Sequence, residues 1–246
     1  MTDRAMTQLW AALQRARRAG QVAEITLADL PVSAQQAYEM VRTHAPEVVA
    51  WKIGGANPWS RQVFDNKEIF FGPLHQDEVA FEGNRLSLRG LVAPLAEPEV
   101  MLEIADWTAQ DPAARFSRVG LGFEIPAAVL PEALKPELMG QIADRAGAGA
   151  LWIGATRSFD PALLETPLTV DMVKNGDAPV SGSTQNVITG PLGAAAEFLA
   201  LAARHEMPLA TGQWIATGGL CPAVPVQPGD TLALHSAWGE MTLQFA

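Results

Sequence analysis

Cysteine is nearly absent from this chain, with Cys221 alone among 246 residues. That excludes an internal disulfide framework and a thiolate zinc site, and it suits a reducing compartment. Histidine is scarce too, and His44, His75, His205 and His235 show no zinc spacing of the H-E-x-x-H kind. Positive charge is in short supply, with 17 Lys and Arg against 27 Asp and Glu for a formal charge of −10. Nucleic acid and anionic membrane surfaces both require clustered Lys and Arg, so neither fits as a partner. The one basic cluster, Arg15-Ala-Arg-Arg18, reads as a solvated helix face. No run reaches the ~18 apolar residues of a membrane span, and the first residues lack a basic region followed by an apolar signal core. The expectation is a cytoplasmic protein. Phosphate loops, nucleophile elbows and dinucleotide loops are also missing, because Gly147-Ala-Gly149 and Gly218-Gly219 lack the strand, turn and helix context.

What is present is hydrophobic material, 48% of the chain, enough for one large core. The expectation is a single domain over residues 1–246 with a helical N-terminal region over 1–46. Met6, Leu9, Trp10 and Leu13 follow helical spacing up to Gly20, and Ser33 with Gln36 has the capping-box arrangement for a second helix. After Pro46, the run Val48 to Ile53 reads as a buried strand ended by Gly54-Gly55. Residues 57–80 have no clear periodicity and read as a loop or lid. Strands follow around Leu86, Glu97, Val119 and Leu151. Residues 127–145 look helical with prolines as punctuation, Leu192 to Arg204 forms a helix, Trp214 to Ala216 a short apolar run, and Thr231–Ser236 and Met241–Phe245 are the last strands.

The informative chemistry is acidic. Glu97 and Glu99 lie two apart, and Glu124 interrupts the apolar run Val119 to Ile125. On a strand, residues two apart project to the same face with Cα atoms roughly 7 Å apart. A Glu-x-Glu pair on a solvent-facing strand is common and implies nothing alone. Here Val100, Leu102 and Ile104 supply an opposite apolar face, and a carboxylate inside a buried run needs compensation. A hard divalent cation with oxygen ligands provides it. Glu103 shares the parity of the pair and reads as a solvated or ion-paired neighbour. Lys52 is the second informative residue, since it breaks an apolar strand; its ammonium either snorkels to water or meets an anion. Three carboxylates around a dication leave a net negative charge, so Lys52 would let an anionic substrate approach. Cys221 before Pro222 has no activating neighbour and reads as inert.

Taken in order, Trp51-Lys-Ile-Gly54, Glu97-Pro-Glu99, Phe123-Glu-Ile125 and Ile142-Ala-Asp144 resemble the 2-oxopent-4-enoate hydratase and oxalocrotonate decarboxylase family of the fumarylacetoacetate hydrolase superfamily. Asn175-Gly176, Thr189-Gly-Pro-Leu192, Ile215-Ala-Thr-Gly218 and Val226-Gln-Pro-Gly-Asp230 extend the resemblance over nearly the whole chain from Ala34. It implies an α/β (α+β) fold with a mixed β-roll or barrel-like core and flanking helices, Mg²⁺ or Mn²⁺ as cofactor, and a homo-oligomer able to complex with a pathway enzyme of aromatic catabolism. It also implies Glu97, Glu99 and Glu124 as metal ligands, Lys52 and Asp144 as catalytic residues, and Lys52 and Thr217 as contacts of a small-molecule 2-oxo acid.

The departures are equally specific. Arg145, Ala146 and Gly147 stand where the family has Asn, a variable residue and Ser. Ile125-Pro126 replaces a Ser-Arg pair, and Gly219 replaces a second hydroxyl after Thr217. The metal shell matches while the polar substrate shell differs. The implied activity is a lyase that hydrates or decarboxylates an unsaturated 2-oxo acid. A carbon–carbon hydrolase of the superfamily, generally built on a His-Glu pair in a lid, finds no histidine in residues 57–72. From another class comes a non-catalytic protein that binds a metal and a 2-oxo acid, or a partner subunit.

Overall fold

The computed structural model describes residues 2–45 and 47–246, so Met1 and Pro46, including the boundary expected at residue 46, lie outside the described residues. Helix α1 (Asp3–Ala19) is capped by the Thr2 hydroxyl, buries Met6, Leu9, Leu13 and Ala16, and ends where Gly20 turns left-handed at φ 63°. Helix α2 (Ala34–His44) starts at Ser33, whose hydroxyl accepts the Gln36 N–H. The Gln36 side chain bonds the Val32 N–H instead of returning to Ser33, so only half of the capping box forms.

Strand β1 (Ala50–Gly54) follows. Residues 57–80, expected to be a loop or lid, are instead ordered as helix α3 (Pro58–Phe64), strand β2 (Phe70–Leu74) and strand β3 (Val79–Phe81). All five residues of β2 are buried, which erases the alternation that would mark a strand. Pro73 is tolerated because β2 is an outer strand, where a missing N–H costs no ladder bond. Gly72 is required there, since a Cβ would lie 1.8 Å from the Arg145 carbonyl oxygen.

Strands β4 (Arg85–Leu86), β5 (Leu95–Ile104) and β6 (Phe116–Pro126) come next. The helical expectation for residues 127–145 holds only for α4 (Leu138–Ala143). Pro131 and Pro136 interrupt the earlier part, which lays Val129, Leu130 and Leu134 against the apolar face of α1. Strands β7 (Ala148–Ser158), β8 (Thr169–Lys174) and β9 (Val180–Ser183) lead to helix α5 (Gly190–Arg204). The chain closes with β10 (Trp214–Gly219), β11 (Val224–Pro225), β12 (Thr231–Ser236) and β13 (Gly239–Phe245).

The larger sheet has the order β2-β1-β10-β5-β6-β7-β3 with β11 beside β5, and the smaller the order β4-β13-β12-β8-β9. Mixed pairing and the curl of the larger sheet agree with the expected α/β core. Helix α5 seals this sheet through Phe198, whose ring lies 5.5 Å from Trp51 and 5.1 Å from Phe71. The Asn175-Gly176 and Val226 to Asp230 motifs meet at one corner, where Asp230 accepts hydrogen bonds from Asn175 Nδ2 at 2.8 Å and from the Gln227 N–H at 2.9 Å. They hold the smaller sheet together.

Candidate metal centre

Antiparallel pairing sets Glu124 of β6 directly opposite Glu97 of β5, with Gly122 opposite Glu99. Opposed residues on one face stand about 4.5–5.5 Å apart at Cβ, so the register adds a third carboxylate to the Glu97 and Glu99 pair. One oxygen from each lies within 4.8 Å of the others. Glu99 and Glu124 are fully buried, and Glu97 is half-buried on the wall of a cavity. Glu103 lies further along, where it accepts the Ser117 hydroxyl at 2.6 Å.

Like charges this close disfavour ionisation. Burial, opposed by the neighbouring Lys52 ammonium, pushes Glu124 up to about 8. Burial and the charges of Glu97 and Glu124 hold Glu99 well above the usual carboxylate range, and burial raises Glu97 as well. Lys52 is itself buried, its Nζ 3.2 Å from Glu124 Oε2 but not aligned as a hydrogen bond. Burial disfavours the ammonium, yet the three carboxylates outweigh that and keep its pKa raised.

The route from β1 to β6 crosses β10 and β5. On a flat sheet that is roughly 14 Å between backbones, and the curl together with two long side chains reduces it to ion-pair distance. Register slips between Ala216 and Gly219 of β10, a bulge that bends the strand at the carboxylates. Gly218, at φ +114°, gives its N–H to Glu99 Oε2 at 2.6 Å. A Cβ on Gly219 would fall 2.1 Å from Glu97 Oε2, so any side chain there would displace the Glu97 carboxylate. Asn57 braces the bulge by donating to the Gly219 carbonyl at 2.6 Å and the Asn186 carbonyl at 3.0 Å. The sequence singles out Gly219 only as a departure in the substrate shell and gives Gly218 and Asn57 no site role, although adjacent glycines within an apolar strand are a recognised sign of a bulge or of close backbone approach.

Two expected residues direct their side chains to other partners. The Thr217 hydroxyl is buried and donates to the Val100 carbonyl at 3.0 Å, tying β10 to β5. The Asp144 carboxylate accepts the Val129 N–H at 2.8 Å and pairs with Arg17 of α1 at 2.5 Å. Neither lines the cavity. Both side chains are committed to backbone and ion-pair partners that substrate would have to displace. Cys221 is fully buried, and burial pushes its thiol up to about 12, in keeping with an inert role.

The fit to a divalent ion can be judged from the donors. Among the described residues, Glu99 Oε1 and both Glu124 carboxylate oxygens are buried without a hydrogen-bond partner. Buried polar atoms are normally satisfied, and hard cations take such oxygens at about 2.0–2.6 Å. The triad is thus able to bind Mg²⁺ or Mn²⁺. Lys52 and Glu97 open onto a cavity of about 550 Å³ between α3 and the segment that joins β6 to β7.

No family model matches the chain. It is 28% identical over 208 residues to 2-hydroxyhexa-2,4-dienoate hydratase of Comamonas testosteroni, covering 80% of this chain and 78% of that protein. 2-Keto-4-pentenoate hydratase of Paraburkholderia xenovorans is 25% identical over 221 residues, covering 85% of this chain and 82% of that protein, and both hydratases are homologues of the chain. Its fold is that of 4-oxalocrotonate decarboxylase from Pseudomonas putida G7, solved with magnesium and adipate, with a TM-score of 0.84 at 22% identity over 100% of this chain and 99% of that one. Fumarylpyruvate hydrolase from Pseudomonas aeruginosa, solved with Mn²⁺ and pyruvate, matches the chain with a TM-score of 0.63 at 13% identity over 80% of this chain and 88% of that one. The fumarylacetoacetate hydrolase fold expected from the sequence is therefore shown. Among the described residues, no helix is long and apolar enough to cross a membrane.

Proposed function

We propose that this protein is a divalent-metal-dependent lyase acting on an unsaturated 2-oxo acid, with hydration of the distal double bond as the leading activity and decarboxylation as its nearest variant. The observation that carries the reading is the convergence of Glu97, Glu99 and Glu124 beside Lys52 at the base of an open cavity. Glu97, Glu99 and Glu124 would hold the ion, and an ion there supplies Lewis-acid polarisation of a 2-oxo carbonyl. Three carboxylates, one ammonium and one dication sum to neutrality, so a monoanionic acid enters an uncharged site. Lys52 keeps a proton at Nζ and faces the cavity, where it offsets substrate charge and can deliver that proton to carbon. Gly218 fixes Glu99 through its N–H, and Asn57 fixes Gly219 through its carbonyl. Asp144 acts through Arg17 as a positioning residue.

Carbon–carbon hydrolysis is less well supported. Among the described residues no histidine lines the cavity, and His75, the nearest in sequence to α3, bonds the Glu47 carbonyl at 3.0 Å. Non-catalytic binding of a metal and a 2-oxo acid draws support from Thr217 and Asp144, whose polar atoms are already engaged. Turnover of 2-oxo acids with Mg²⁺ or Mn²⁺, assayed side by side for hydration, decarboxylation and acylpyruvate cleavage, separates these readings. Metal and oxalate binding without any turnover would favour the binding protein. We further infer that the chain acts as one domain and as a homo-oligomer, a reading supported by half-exposed Phe81 on the open edge strand β3 and tested by light scattering.

A further inference from the structure

The cavity beyond the carboxylates has a wall chemistry that the proposed reaction does not use. One side is built from Trp59, Val63 and Phe64 of α3 with Phe70 of β2, and the other includes Leu95 and Pro126. Phe64 and Phe70 pack edge to face at 5.1 Å, so this wall is supported rather than loose. Val63 is 58% exposed, an uncompensated apolar residue at the mouth. The side-chain donors of Gln141, Ser60 and Asn57 on the wall are taken up by neighbouring carbonyls. Gln141 Nε2 donates to the Lys135 carbonyl at 2.6 Å, Ser60 Oγ donates to the Asn57 carbonyl at 3.0 Å, and Asn57 is held by Gly219 and Asn186.

Charge away from the base amounts to Glu132 and Lys135, which pair with each other at 2.7 Å. Among the described residues no arginine lines the cavity. A second carboxylate at the far end of a substrate would find no bidentate partner and one lysine at the solvent edge, whose attraction is shared with Glu132 and screened by water. It would also lose hydration against aromatic walls, which is costly for an unpaired ion. An apolar tail loses nothing there and gains burial. A cavity of about 550 Å³ sits within the range of about 300–1,000 Å³ that houses drug-sized ligands, so there is room for a long tail.

We infer that the site selects monocarboxylic 2-oxo acids with a bulky apolar distal group and rejects acids with a second, distal carboxylate. This rests on the 2-oxo acid reading above and adds the substrate's far end to it. It also separates the two leading activities, because decarboxylation of a vinylogous diacid needs the carboxylate that this wall disfavours.

The test is calorimetric binding to the Mg²⁺-loaded full chain of pyruvate, 2-oxohexanoate, 2-oxooctanoate and 2-oxoadipate. Burying a methylene corresponds to roughly fourfold tighter binding, so 2-oxooctanoate should bind at least tenfold more tightly than pyruvate, and 2-oxoadipate no more tightly than pyruvate. Val63→Arg, at an exposed position where folding is not at risk, should improve 2-oxoadipate binding relative to 2-oxooctanoate by about tenfold. If 2-oxoadipate binds most tightly and loses that advantage in Lys135→Met, the selectivity proposal is overturned while the 2-oxo acid reading stands. If Mg²⁺ binds and none of the four acids does, the 2-oxo acid reading itself fails.

Discussion

At the scale of single residues, the centre is a set of charges that oppose one another and tolerate one another only through their neighbours. Glu124 has no hydrogen-bond donor aligned to either oxygen and depends on Lys52 at 3.2 Å. Replacing it as Glu124→Gln removes one anionic ligand, and divalent-metal affinity measured by calorimetry should fall by at least about 100-fold, since changes merely behind a ligand already cost about 10–100-fold. Lys52→Met should leave metal affinity in place and weaken oxalate binding to the metal-loaded protein by about 10–100-fold, the loss expected for a hydrogen bond to a charged group. Gly219→Ala tests the close approach of backbone to Glu97. Its Cβ would collide with Glu97 Oε2, so metal affinity should drop while the circular dichroism spectrum stays that of the parent. Glu97 and Glu99 could be read as a pair from their spacing. Glu124 could be flagged as a charge in an apolar run, but its position opposite Glu97 depends on a register that no local pattern states.

At the scale of elements, α1 is tied to the rest by one buried ion pair. Arg17 reaches from its last turn to the Asp144 carboxylate at the end of α4, and it also donates to the carbonyl of Ala148 at the start of β7. Beyond Asp144 the backbone runs left-handed at Arg145, Ala146 and Gly147, and Arg145 is clamped by Glu78 through bonds of 2.8 and 2.7 Å. Two of these positions are not glycine, so the corner carries strain that its partners must overcome. Asp144→Ala strands a buried guanidinium and should cost about 3–5 kcal/mol in denaturant unfolding. Loss of turnover without loss of stability would instead return Asp144 to the catalytic role that the resemblance implied. The helices α1, α2 and α5 were legible because each exposes one face and buries the other. Strand β2 was not, because burial on both faces removes the period that a reader relies on.

At the scale of the molecule, the centre couples folding to pH. The triad carboxyls titrate above their ordinary value of 4.5, Glu124 at about 8. Between those values the folded metal-free protein binds more protons than the unfolded chain, so its stability should fall as pH rises from about 5 to 8. A bound cation replaces the protons. Mg²⁺ should therefore raise the melting temperature more at pH 8 than at pH 6, with proton release on binding visible as a dependence of the calorimetric heat on buffer. A melting temperature that rises with pH in the metal-free state would contradict the arrangement.

The amino-acid order by itself determined the acidic pair, the lone Glu124, the odd lysine, the absence of soft metal ligands and the resemblance that names the fold. Each of these is a matter of local spacing or residue type. Only the tertiary structure decided that β5 and β6 pair Glu97 with Glu124, that the sheet curls enough to bring Lys52 across two strands, and that Thr217 and Asp144 turn to other partners. Those outcomes follow from register and curvature, which arise between segments far apart in the chain and leave no mark within any one of them, whereas the bulge alone has a local sign in Gly218-Gly219.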